Sequence, residues 1–335
     1  MPLGTTAPPA PGQLTRHRLG NGLTVVLLPD PEVPAVAVAV GYDVGYRSEA
    51  RPGFAHLFEH LMFQGSSSLP KLAHAERVQA AGGAFNAVTQ RDHTCYYQVV
   101  PAQALELVLF LEADRMRGPR ITPETIANQV AVVTEEINQN FLGRPYGGFP
   151  AFALPPVLFR DEANSHNGYG DTRSLSGVSP EECERFFADH YGPGGAVLAI
   201  SGAFDPRHAL DLAHTYFGAL PARPGPPRRD HAEPPPDQER AHTLTDRLAP
   251  PPRSRSAGAA PRPAAPSTWP TCWSRRCSAT RSTAGCAAPW SATGRPPRPR
   301  SCPRSPARPS TPAPPRRWSP PRSAHPAAPP ASSPG

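Results

Sequence analysis

From Pro250 to Gly335 the sequence has no Leu, Val, Ile, Phe, Met or Tyr, no acidic residue and no Lys. A chain without an aliphatic residue larger than Ala, proline apart, cannot bury enough apolar surface to offset its ordering entropy. That excludes a packed second domain, and 250–335 is expected to be a disordered Pro/Arg/Ser/Ala tail. All four Trp and four of the six Cys lie in it. It also holds 14 Arg, which leaves 20 basic and 27 acidic side chains, a net −7, for everything before it. The overall charge of +7 therefore describes the tail, and no nucleic-acid partner is expected of the rest. Nearly every tail residue has a codon with C or G at its second position, His325 excepted. A GC-rich gene shows that restriction at third positions, so the chain is expected to leave its proper frame near Pro250.

Other scarcities narrow the class further. No apolar run approaches the ~18 residues of a membrane span, so no membrane partner is expected. Residues 1–13 are rich in Pro and Ala and lack a charged segment followed by an apolar one, which argues against a secretory signal and for a cytoplasmic protein. Cys95 and Cys183 have no partner signature and read as reduced thiols. Hydrophobic residues make up 38% of the chain, beside 49 prolines, and this favours one domain over two.

What remains is organised around Gly53–Gly65, G-F-A-H-L-F-E-H-L-M-F-Q-G. His56 and His60 stand four apart, so a helix puts both imidazoles on one face about 6 Å apart along its axis. Two such rings can share a divalent ion, for which Zn²⁺ is the usual guest. Glu59, adjacent to one ligand, is poorly placed as another but well placed to take a proton from a water on that metal. The order H-x-x-E-H is a metallopeptidase signature. A core helix with two satisfied histidines is the alternative, but burying three ionisable groups together without a metal would be costly.

The flanks resemble the family of pitrilysin, insulin-degrading enzyme and mitochondrial processing peptidase, the insulinase family of zinc metallopeptidases with an inverted zinc motif. The matching runs are Gly45–Glu49 leading into Gly53–Gln64, then Gly82–Thr89 with Asp92, Thr94, Tyr96 and Tyr97, then Val132–Ile137. A last run goes from Phe186 through Tyr191, Gly192-Pro193 and Ala196–Leu198 to Gly202 and Phe204–Pro206. The resemblance covers about residues 14–220, one half of a family member. It implies a third metal ligand at Glu136, 76 residues after His60, with Glu135 as the other choice. It implies that Asn86 and Ala87 contact an extended substrate. Where many members carry a second acid, seven residues before that ligand, this chain has Gln129, which can still support the site by hydrogen bonding.

Local signals give the elements. Asn21-Gly22 predicts a hairpin within Leu14–Leu28. Val33–Val44 reads as a strand, Ala73–Ala81 as a helix stopped by Gly82-Gly83, and Ala84–Val100 as strand, turn and strand. His74 on that helix and His93 in that turn read as surface residues. Ala102–Arg117 is an amphipathic helix, and Thr122-Pro123 opens another running to about Asn140. Phe141–Ser179 reads as a long segment with short helices and a mobile loop over a cleft. Ser179-Pro180 starts a helix to about His190; Ala196–Ser201 is a strand and Pro206–Phe217 a helix. Arg240–Leu248 looks like the start of another strand.

The expected architecture is therefore α+β, a mainly antiparallel sheet flanked by helices, in a processing-peptidase-like half followed by the tail. The expected organisation is a loose 1–13, a metal-binding peptidase domain at 14–220, a Pro-rich linker with the start of a truncated second half at 221–249, and the tail. The expected function is that of a zinc metalloendopeptidase with one Zn²⁺ on His56, His60 and Glu136 and Glu59 as base. Its substrates would be peptides or small unfolded proteins, and a second peptidase-like half or subunit would complete it. The rival reading is a non-catalytic partner subunit, or a truncated gene product that only binds metal.

Overall fold

In the computed structural model the described residues are 12–248, apart from 50, 150–151, 171–172, 228, 235–236 and 247. The expected tail and most of the loose N-terminus lie outside them. Six strands form one sheet: β1 (Thr15–Arg18), β2 (Thr24–Pro29), β3 (Ala35–Tyr42), β4 (Ala84–Thr89), β5 (Thr94–Pro101) and β6 (Ala196–Gly202). Their spatial order is β1-β2-β6-β3-β5-β4. All neighbours run antiparallel except β2 and β6, so the sheet is mainly antiparallel, as expected.

Period-two alternation explains which face is the core. Along β3, Val36, Val38, Val40 and Tyr42 are buried while the small residues between them face the other way. On β5, Thr94, Tyr96, Gln98 and Val100 turn inward in the same manner. The first hairpin closes at Asn21-Gly22, where Gly22 takes φ +94°, and Asn21 Nδ2 donates to the Phe217 and Leu220 carbonyls.

The principal helices are α1 (Phe54–Leu61), α2 (Ala73–Ala80), α3 (Leu105–Arg117) and α4 (Pro123–Ile137), with short α5 (Pro155–Leu158) and α6 (Glu162–Ser165), then α7 (Pro180–His190) and α8 (Pro206–Phe217). Thr122 and Ser179 each cap a helix through a reciprocal side-chain and backbone pair, with Pro in the first turn. α1 buries Phe54, Ala55, Leu57, Phe58 and Leu61, and α4 packs against it. α3 begins later than the sequence suggests, after a 3₁₀ turn at Ala102–Ala104.

Two expectations need correction. His74 is buried, and its Nε2 sits 3.0 Å from Gln98 Oε1. Burial, then the charge of Arg115, pushes its pKa down to about 4. α2 looks polar in sequence because part of its polar face meets a buried polar layer rather than water. In that layer Gln98 and Arg115 both bond Glu112, and the Arg115 guanidinium lies over Tyr96 at 4.4 Å and Phe63 at 5.0 Å. The second correction concerns Arg240–Leu248, where no strand forms among the described residues. No strand edge pairs with it. It is tied instead by Arg240 Nη1 donating to the Val157 carbonyl (3.1 Å) and by Asp246 accepting the Tyr146 N–H (2.7 Å).

The loop after α1 is pinned by Asp114 of α3. Its carboxylate accepts from Ser66 Oγ (2.6 Å), Ser68 N (3.0 Å) and Ser68 Oγ (2.8 Å). Burial alone would raise its pKa; these donors and Arg117 outweigh that and hold it below the usual Asp value. A depressed folded-state pKa means stability that is present above the unfolded value of about 3.9 and lost as pH falls through the folded one. Asp114→Asn should therefore cost about 2–3 kcal/mol at pH 7, the scale of hydrogen bonds to a charged group. The deficit should shrink towards pH 3. Urea unfolding at both pH values checks this, and an equal deficit at both would contradict it.

Candidate metal centre

The rotation that buries the apolar stripe of α1 turns His56, Glu59 and His60 towards an open cavity of about 520 Å³. α4 crosses its floor and brings Glu136 to them. Glu136 Oε2 lies 3.4 Å from His60 Nε2 and 3.8 Å from His56 Nε2. The two imidazoles stand 4.9 Å apart, nearly perpendicular. One donor atom from each of the three residues falls within 4.8 Å of the others, and no other such trio of His, Cys, Asp or Glu occurs among the described residues. Bonds of about 2.0–2.1 Å at a tetrahedral angle put ligand atoms about 3.3 Å apart, so this trio needs only small adjustment to close on zinc.

The ionisation states suit a cation. Burial, then the nearby His60, pushes His56 down to about 4, so it is neutral with a lone pair to offer. A hydrogen bond with His60 holds the Glu136 carboxyl below its ordinary value, so it is ionised. Neutral imidazole and carboxylate are the ligating forms. Glu59 differs: burial raises its pKa above the ordinary carboxylate value, even against a 2.5 Å hydrogen bond from Thr89 Oγ1 that pulls it down. Thr89 fixes one of its oxygens, and the side chain lines the same cavity.

The remaining sequence-predicted residues separate clearly. Asn86 and Ala87 lie on the edge strand β4 and line the cavity, and Asn86 Oδ1 accepts the Ala87 N–H at 2.9 Å. Gln129, two turns before Glu136 on α4, also lines it. Its Nε2 donates to Asn128 Oδ1, and among the described residues it makes no hydrogen bond to the histidine and glutamate cluster. Glu135 points elsewhere and accepts from Gln139 at 2.7 Å.

Three further residues support the site. Glu49 is the helix's acidic cap, accepting the Gly53 (2.8 Å) and Ala55 (2.6 Å) N–H groups at the start of α1. Thr89 positions Glu59. Tyr169 places its ring 4.7 Å from that of His56. Glu49 and Thr89 sit inside the runs quoted above, so their places were visible but their partners were not. The only sequence sign for Tyr169 is its position between Gly168 and Gly170.

Fold and donor set together define a class: an α+β domain bearing a cluster of two histidines and one glutamate that could hold a metal ion, as in metallopeptidases. A family model described as insulinase (peptidase family M16) matches residues 24–141, and one described as peptidase M16 inactive domain matches residues 177–256. An uncharacterized zinc protease of Mycobacterium leprae is 31% identical over 223 residues, covering 64% of this chain and 49% of that protein. The beta subunit of the mitochondrial-processing peptidase of Blastocladiella emersonii is 27% identical over 213 residues, 62% and 45% of the two chains. The first half of the periplasmic protease PqqL from Escherichia coli has the same fold, with a TM-score of 0.62 at 23% identity over 69% of this chain and 51% of that one. The chain belongs to the M16 (insulinase) peptidase family. It spans about half the length of the curated relatives it matches.

The geometry separates the two candidate third ligands. In a competition titration with a zinc chelator, wild-type chain should take up one Zn²⁺. Glu136→Gln should lower affinity by at least about tenfold, since a residue that touches the metal matters no less than the groups that only orient such residues. Glu135→Gln should bind as wild type does. The reverse pattern would move the ligand to Glu135.

Proposed function

We propose that the chain is the metal-binding half of a zinc metalloendopeptidase, with His56, His60 and Glu136 as ligands. The observation that carries this reading is the approach of the Glu136 carboxylate to both imidazoles beside the Thr89-anchored Glu59. Zinc held there supplies Lewis acidity, polarising a carbonyl and acidifying water. Glu59 takes a proton from the attacking water and returns it to the leaving amine. The Thr89 hydroxyl fixes one Glu59 oxygen and leaves the other to face that proton.

An extended peptide pairs with β4, whose outer edge has no strand beside it in the sheet. Asn86 Oδ1, which occupies the Ala87 N–H, is exchanged for a substrate carbonyl on arrival. Substrates are peptides or small unfolded proteins, since only an extended backbone can add to a sheet edge. A second peptidase-like half or subunit completes the cleft. The half-length match to its relatives supports that, as does the name of one of them, a subunit of a processing peptidase.

The same half-length match keeps a second reading in view, a chain that binds metal without hydrolysing peptides. An assay of the full chain on an unfolded protein, with and without a separately supplied second half, distinguishes them. Hydrolysis in either arm supports the peptidase, and zinc uptake without hydrolysis in both supports the non-catalytic reading. In any active form Glu59→Gln should retain zinc and lose about 10²–10⁴-fold in kcat, the usual contribution of general base catalysis. Unchanged turnover would remove Glu59 from the reaction.

A further inference from the structure

A histidine ligand usually has its second ring nitrogen hydrogen-bonded to a carboxylate, carbonyl or water, which fixes the ring's direction. In His56 that nitrogen, Nδ1, is buried and has no protein hydrogen-bond partner among the described residues. Two rings meet it edge-to-face, that of His60 at 4.9 Å and that of Tyr169 at 4.7 Å and 70°, and of these only Tyr169 is outside the proposed ligand set.

The backbone around Tyr169 is shaped for that contact. Asn167 Oδ1 accepts the N–H groups of Tyr169 (2.8 Å) and Gly170 (3.0 Å), folding the loop into a tight turn. Gly170 takes φ +68°, and a Cβ there would sit 2.3 Å from the Pro52 carbonyl oxygen. Gly53, at the N-terminus of α1, takes φ +88°, and a Cβ there would sit 2.4 Å from the Tyr169 carbonyl oxygen. The two backbones therefore meet through glycines on both sides. Ser174 Oγ donating to the Pro52 carbonyl (2.8 Å) and Arg51 Nη1 donating to the Ser174 carbonyl (3.2 Å) close the joint. The rings of Phe141 (4.8 Å) and Phe152 (5.8 Å) also pack against Tyr169.

We infer that Tyr169 is a positioning residue for His56: its ring, seated by the Gly53–Gly170 joint, does by packing what a hydrogen bond to the second ring nitrogen does elsewhere. The inference rests on the metal reading proposed above and concerns the phenol ring rather than its hydroxyl. An edge-to-face pair of this kind favours one ring orientation beyond what burial alone gives.

The test is zinc affinity of the full chain by chelator competition, with thermal unfolding of the zinc-free form alongside. Tyr169→Phe should bind zinc within about twofold of wild type, because the ring face is kept. Tyr169→Ala and Tyr169→Leu should bind about tenfold more weakly, the scale of a lost edge-to-face aromatic contact. Tyr169→Leu keeps the bulk of the loop's packing and serves where the alanine variant unfolds. Wild-type affinity in a folded leucine or alanine variant would overturn the inference, as would a phenylalanine variant as weak as these. A wild-type chain that takes up no zinc would overturn the metal reading and this inference with it, so the two failures are told apart.

Discussion

Phe54, Leu57, Phe58 and Leu61 go into the core together because they lie along one side of a two-turn helix. With the register set by that burial, 100° per residue leaves His56, Glu59 and His60 on the side that faces the cavity. Four buried side chains of this size each stabilise by about 1.5–3 kcal/mol relative to exposure, far more than any preference of the histidines themselves. The chemistry of the site is thus held by apolar packing on the opposite side of the same helix. Phe58 is central to it, ringed by Phe54, Phe186, Phe187 and Tyr191.

The other half of the centre is long-range. Glu136 comes from α4, whose start is fixed by the Thr122 and Thr125 capping pair and whose seat against α1 is set by buried Ile126, Val133 and Ile137. A one-residue slip of that helix would turn Glu136 away by about 100°. Glu49 fixes the opposite end of the arrangement by holding two N–H groups at the start of α1, and the loop carrying Tyr169 meets the same end through glycines. Three separate segments thus converge on one short helix. That convergence makes a defined donor geometry available without a large enclosed core around it.

Much of this was legible in the sequence because the signals are local. Alternating Val and Ala fix β3, Asn21-Gly22 fixes a hairpin, and the capping pairs at Thr122 and Ser179 fix two helix starts. His56 and His60 share a face by spacing alone, whereas pairing them with Glu136 rather than Glu135 came from resemblance. What escaped depends on tertiary context. His74 reads as exposed because nothing in an eight-residue polar helix announces that Gln98 and a buried Arg115–Glu112 pair lie beneath it. Arg240–Leu248 reads as a strand from composition, but a strand needs an edge to join. Tyr169 lies in a long irregular segment, and its contact with His56 depends on two glycines 117 residues apart in sequence. The supporting role expected of Gln129 presumed a partner that its neighbour Asn128 supplies instead.

The central claim is that His56, His60 and Glu136 form one zinc centre. X-ray absorption at the zinc edge, combined with diffraction from the zinc-loaded chain, tests it most directly. The account predicts one zinc with two imidazole nitrogens at about 2.0–2.1 Å and a Glu136 oxygen at about 2.0–2.2 Å. Zinc bound through cysteine sulfur, or through Glu135 with Glu136 turned away, would contradict it.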